Sequence, residues 1–129
     1  MADMKLHIAA ANSFFYPDLM VTCSLADASR RLVKQDARFV AEVLSPSTAA
    51  YDRGAKFSAY RALPSLEEYL LIDIDSQTCD LYRKGVDGLW VLHPSGAGSS
   101  VSLASVDITL VVSELFADLE PKDGSLQEE

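Results

Sequence analysis

Apolar residues fall in short blocks along this chain, and each block is bounded by turn formers. Residues 4–10 (MKLHIAA) alternate loosely, as a half-buried strand does, and a turn follows at Asn12-Ser13. Pro17 holds its own φ and pushes Tyr16 towards extended geometry, so Tyr16-Pro17-Asp18 marks a strand entrance. Residues 19–23 (LMVTC) make that strand, while residues 24–36 are polar and charged, a loop or a weak helical turn. Residues 39–44 (FVAEVL) are nearly continuous in apolar side chains, the pattern of a central strand buried on both faces.

Ser45-Pro46-Ser47-Thr48 ends that strand, and Ser47 or Thr48 can cap a helix predicted over residues 49–62, stopping before Pro64. Strands are predicted over residues 67–75 and 78–84, joined as a hairpin at Ser76-Gln77. A further strand covers residues 89–93, the SGAGSS segment is a flexible loop, and residues 101–103 and 108–111 complete a meander. Ser113 can cap a short last helix, ELFADL. The alternation of strands with one helix predicts an α/β fold, a mixed β-sheet flanked by helices with a strand-rich C-terminal half. One domain over residues 1–120 and a flexible tail over 121–129 are expected.

Charge divides the chain. The net charge is −8, which argues against strong general affinity for nucleic acid. Residues 1–63 nevertheless carry eight Lys/Arg against six Asp/Glu, and residues 64–129 three against thirteen. A polyanion would meet the first half, although the same bases also suit an ordinary solvated surface. Hydrophobic residues make up 49%, enough for a real core at 129 residues. No apolar run approaches the roughly 20 residues of a membrane span, and the start lacks a signal-peptide layout. Cys23 and Cys79 lie far apart without a CxxC motif, so two free thiols in a reducing cytoplasm are expected.

Glu42 is the sharpest chemical feature. An ionised acid within Phe39, Val40, Ala41, Val43 and Leu44 needs a metal, a base or several donors, unless it points out at a strand end. Asp18, at the mouth of another strand, reads as a turn acid when taken alone. If the two strands are neighbours, Asp18 and Glu42 can share one divalent cation, and hard oxygens with room for water suit Mg²⁺ or Mn²⁺. At about 100° per residue, Lys56 falls among Ala49, Ala59, Tyr60 and Leu63, with Asp52 one turn earlier. It can point at the sheet or form an i,i+4 surface pair with Asp52.

Other candidates lose their case. Asp73, Asp75 and Gln77 mimic a calcium loop, but Thr78 replaces its glycine and Lys84 its closing glutamate. SGAGSS has no following lysine, so it is not a phosphate loop. His7 and His93 have neither metal-ligand spacing nor an adjacent nucleophile motif.

The segments YPDLMVTC and FVAEVLSPSTAAYDRGAKFSAYRALPSLEEYLLID resemble the Uma-two family of restriction-endonuclease-like proteins, within the PD-(D/E)xK nuclease superfamily. The resemblance runs from about Met4 to Leu119, and EVLSPST followed by Asp52-Arg53-Gly54, Lys56-Phe57 and Tyr60 is its most specific part. It implies a restriction-endonuclease-like fold and metal-dependent phosphodiester hydrolysis. Asp18 and Glu42 match the two Mg²⁺-binding acids, and Lys56 matches a base that has migrated from the strand into the next helix. The alternative is a truncated, catalytically inactive module serving binding or assembly. Relatives carry an N-terminal helix and hairpin ahead of the matching region. Their absence is expected to leave a sheet edge uncovered, and hence a homo-oligomer.

Overall fold

Residues 4–117 are described in a computed structural model of the chain. The first half begins with β1 (Lys5–Ile8), a 3-10 turn (Ala9–Ala11), β2 (Ser13–Phe15) and β3 (Leu19–Thr22). It continues through α1 (Leu25–Ser29), β4 (Val33–Lys34), β5 (Ala37–Leu44), α2 (Ala49–Arg53) and α3 (Ala55–Tyr60). The second half holds β6 (Glu68–Asp73), β7 (Thr78–Lys84), β8 (Trp90–Ser95), β9 (Ser100–Leu103), β10 (Ile108–Val111) and α4 (Val112–Ala117).

The central sheet has the order β3-β5-β6-β7-β8; β5 and β6 are parallel and the other pairs antiparallel. The parallel pair is possible because α2 and α3 supply the crossover between its strands. Strand alternation then sends successive side chains to opposite layers. Val40 and Leu44 of β5, with Tyr69 and Leu71 of β6, pack on Phe57, Tyr60 and Leu63 and on Leu6 and Ile8 of β1. Phe39, Ala41 and Leu70 face the other way, against Val101, Leu103, Val112 and Phe116. Each large side chain buried so completely contributes roughly 1.5–3 kcal/mol of transfer free energy. A small sheet β2-β1-β4 covers the helix side.

The architecture is the expected mixed α/β sheet; β5 is an interior strand buried on both faces, although β6 and not β5 holds the centre. Four local features differ from expectation. The helix over residues 49–62 is two short helices, because Gly54 leaves helical geometry (φ −105°, ψ −97°) and its N–H closes the first helix on the Ala50 and Tyr51 carbonyls. Thr48 makes no side-chain cap; its hydroxyl instead accepts from the Ser45 N–H at 3.3 Å. Among the described residues β9 and β10 pair only with each other, and Val101 and Leu103 lay that hairpin across the second face of the main sheet. Ser113 lies inside α4, which begins at Val112. The tail expected at 121–129 lies outside the described residues. Within them, no helix is long and apolar enough to cross a membrane, and Cys23 and Cys79 are free.

Candidate active site

Glu42 sits two residues before the end of β5 and alternates onto the helix side of the sheet. With β3 on one flank and β6 on the other, its side chain has no route to a sheet edge, and Glu42 is only 4% exposed. A carboxylate so placed must be met by donors. Two residues of the crossover, Lys56 and Tyr60, meet that requirement, and Asp52 holds Lys56 in turn.

Asp52, Lys56 and Tyr60 are spaced four apart, so they line one face across the break at Gly54. Lys56 Nζ lies 3.0 Å from Glu42 Oε2 and 3.6 Å from Asp52 Oδ1, with its side chain 14% exposed. Lys56 therefore points at the sheet, and its i,i+4 partner Asp52 lies buried beside it rather than at the surface. The Tyr60 hydroxyl donates to the same Glu42 oxygen, Oε2, at 2.9 Å. Beneath them the Tyr69 hydroxyl donates to the Asp52 carbonyl at 3.0 Å and ties α2 to β6. Phe15 of β2 closes the group from outside: its ring packs on Tyr60, and Lys56 Nζ stands 5.8 Å from its centroid.

Asp18 immediately precedes β3. That strand pairs with β5 so that Leu19 faces Ala41 and Met20 faces Val40, and the same register carried one residue back sets Asp18 beside Glu42. Asp18 Oδ2 accepts the Val43 N–H at 2.8 Å, which holds the carboxylate over the end of β5. Asp18 is exposed where Glu42 is buried, so the pair spans the boundary between core and solvent.

Burial raises the proton affinity of Glu42 above the ordinary glutamate value, and the nearby Asp18 charge adds to it. Lys56 and Tyr60 oppose that rise through their hydrogen bonds. Tyr60 and Tyr69 are pushed strongly upward by burial and then by the Glu42 charge, so both hydroxyls stay protonated as donors.

The donor set suits a hard divalent cation. Among the described residues the hydrogen bonds to Glu42 fall on Oε2 and that to Asp18 on Oδ2, which leaves Oε1 and Oδ1 to ligate. No third Asp, Glu, His or Cys joins them into a metal-holding group among the described residues. Two carboxylates with the remaining positions left to water and phosphate oxygens is the manner in which Mg²⁺ is commonly held. A 220 Å³ cleft lined by Met4, Leu19, Met20, Thr22 and Lys34 opens beside Asp18. Glu42 and Lys56 do not line it, so it is an approach to the acids rather than the site itself.

Sequence reasoning brings Asp18, Glu42 and Lys56 together, and the structure places all three at one strand end. It misses Tyr60 as a partner of Glu42, and it takes Asp52 only as a surface pair although Asp52 is buried. The Asp52, Lys56, Tyr60 spacing is the signal that could have found both. His7 stacks on Phe14, and residues 74–77 form the β6–β7 turn. Two further buried acids are structural. Asp27 accepts from the Gln35 and Asp36 N–H groups and from Thr22, while Glu68 accepts from Arg83 and Ser105.

Comparison with known proteins bears on this geometry. The model of the Uma2 family, described as "Putative restriction endonuclease", matches residues 1–113. An uncharacterised protein of Synechocystis sp. is 36% identical over 118 residues, 92% of this chain and 62% of its own length. A second uncharacterised Synechocystis protein is 42% identical over 95 residues, 71% of this chain and 53% of its own. This chain thus spans less than two thirds of either relative. Its fold is similar to the crystal structure of a putative nuclease belonging to DUF820 from Anabaena variabilis. The TM-score is 0.70 at 17% identity, covering 91% of this chain and 66% of that one.

Proposed function

This chain belongs to the Uma2 family, and from that premise we propose that it is a metal-dependent endonuclease that hydrolyses phosphodiester bonds of DNA. The observation that carries the reading is the 3.0 Å pair between Lys56 Nζ and Glu42 Oε2, at a strand end that Asp18 faces. Asp18 and Glu42 would hold Mg²⁺ or Mn²⁺ through their remaining oxygens. The cation, when bound, supplies Lewis-acid polarisation of the phosphate and a water of lowered pKa.

The protein's own groups do the positioning. Tyr60 and Lys56 together hold one oxygen of Glu42 and leave the other without a hydrogen bond among the described residues. Asp52 and Glu42 hold Lys56 between them, so its ammonium stays at the rim. There Lys56 orients the attacking water or stabilises charge developing on the phosphate.

The test is Mg²⁺- or Mn²⁺-dependent cleavage of DNA by purified protein beside Glu42→Ala and Lys56→Ala. Loss in both variants is expected; equal activity in all three would identify a contaminant and sink the reading. A second reading, a catalytically inactive module for binding or assembly, is favoured by the net charge of −8. A homo-oligomer is part of either reading. β8 is a sheet-edge strand whose Val91 and Leu92 are exposed, an edge that a second copy would cover. Light scattering tests it, and a clean monomer would count against it.

A further inference from the structure

We infer that the outer face of the β1–β2 hairpin is a stacking platform for an unpaired nucleobase of the DNA strand that enters at Asp18 and Glu42. The inference rests on the nuclease reading for the identity of that strand and on separate residues for its argument. In the antiparallel hairpin His7 faces Phe14 and Leu6 faces Phe15. Leu6, Ile8 and Phe15 turn into the core, so Lys5, His7, Phe14 and Tyr16 share the outer face.

That face is unusual for a solvent surface. Phe14 is 53% and Tyr16 56% exposed. The His7 ring stacks on Phe14 at 4.3 Å and 11°. Lys5 Nζ stands 5.2 Å from the Phe14 centroid and 5.8 Å from that of Tyr16. Among the described residues no carboxylate is ion-paired with Lys5. Two half-exposed rings, Phe14 already stacked on His7, with a cation near both complement a base and its phosphate, the combination by which single strands are bound without sequence preference. A purely apolar partner would gain from the rings but would have to desolvate the ammonium.

Position links this platform to the acids. Phe15, between the two exposed rings in sequence, packs on Tyr60 and lies under Lys56. Tyr16 precedes Asp18 by two residues, a backbone reach of at most ~7 Å. That is about two steps of a stacked strand at ~3.4 Å each. A base resting on Tyr16 would bring a neighbouring phosphate to Asp18 and Glu42. The substrate implied is DNA with single-stranded or flared nucleotides rather than continuous duplex.

The experiment measures fluorescence anisotropy of a short fluorescein-labelled oligothymidylate, and of a duplex of equal length, in buffer with EDTA. Wild type is expected to bind the single strand more tightly than the duplex. Phe14→Ala with Tyr16→Ala should weaken the single strand roughly ten-fold or more, Phe14→Leu with Tyr16→Leu should fail to restore it, and Lys5→Gln should reduce the salt slope by about one. Equal binding of both nucleic acids, unchanged in the ring variants, overturns the inference. So does light scattering in which wild type self-associates through the rings while DNA binding is unaffected, which would make a second copy the occupant. Because binding is read without metal, a protein that binds as expected yet cuts no DNA supports the platform and overturns only the nuclease reading.

Discussion

Tyr60 Oη lies 2.9 Å from Glu42 Oε2, and both residues are buried. The hydroxyl and the Lys56 ammonium converge on one oxygen of a carboxylate that has no path to solvent through the sheet. A phenol at this place supplies a donor without a second charge, so Glu42 is oriented while the local balance of charge is left to Lys56, Asp52 and Asp18.

Removal of that hydroxyl alone separates orientation from packing. Tyr60→Phe keeps the ring against Phe15 and Tyr69 but leaves Glu42 with one donor fewer. A loss of ~1–2 kcal/mol in urea unfolding is expected, together with a fall in cleavage rate of about ten-fold. Wild-type cleavage in a protein destabilised by that amount would show that Tyr60 only packs.

Glu42 makes stability fall as pH rises. Its proton affinity in the fold lies above the ordinary value of 4.5, so between the unfolded and folded pKa values the native state binds more protons than the unfolded chain. The Glu42 contribution is therefore fully present below about 4.5 and is lost as pH rises through the folded pKa. Glu42→Gln removes the buried charge and should raise the thermal midpoint at pH 8 relative to wild type. The difference should shrink as pH is lowered towards 4.5. Thermal melts of both proteins from acid to neutral pH measure it, and a gap that widens on acidification would contradict the assignment. Cleavage should be lost over the whole range, so stability and activity trade against each other at this residue.

Much of this arrangement is legible in the order of the residues. The run around Glu42 reads as a two-face-buried strand because parallel neighbours need apolar residues on both sides, and β5 has β6 as that neighbour. Helical spacing alone leaves Lys56 either aimed at the sheet or paired with Asp52 at the surface, and its contact with Glu42 decides between them. Asp18 can be set beside Glu42 only on the condition that their strands pair, which they do. What is not legible depends on partners far along the chain. The break at Gly54 comes from one residue's backbone geometry inside an otherwise helical pattern. The departure of β9 and β10 from the main sheet turns on which of two apolar faces remains to be covered. The role of Glu68 needs Ser105, which no local pattern connects to it.

Glu68 anchors that second layer, and its pH dependence has the opposite sign to that of Glu42. Its buried carboxylate accepts from Arg83 Nε at 2.8 Å, from Ser105 N at 2.9 Å and from the Ser105 hydroxyl at 2.5 Å. Burial alone would raise its proton affinity, but the Ser105 bonds and then Arg83 outweigh it and hold the carboxyl below 4.5. Its contribution is present above the unfolded pKa and is lost as pH falls through the folded one. Glu68→Ala should cost about 3 kcal/mol near neutral pH by stranding Arg83 and the Ser105 donors. Ser105→Ala should cost ~1 kcal/mol. Urea titrations at neutral and acid pH check both; a Glu68→Ala penalty that does not diminish in acid would rule out the carboxylate as its source.

Cation binding offers a test that needs no substrate. A ligand held only by the folded state stabilises it by RT ln(1 + [L]/Kd), about 2.7 kcal/mol at 100 Kd. Asp18 and Glu42 face one another with like charge, and that repulsion contributes to the raised proton affinity of Glu42. A divalent cation held by both acids would remove the repulsion. Titration with Mg²⁺ or Mn²⁺ should therefore raise the thermal midpoint in a concentration-dependent manner and lower the apparent pKa of Glu42. Both effects should vanish in Asp18→Asn and in Glu42→Gln but persist in Lys56→Met, whose side chain contacts Glu42 through the other oxygen. A midpoint that rises equally in all four proteins would mean that the cation binds elsewhere on this acidic chain, and the two-carboxylate site would be wrong.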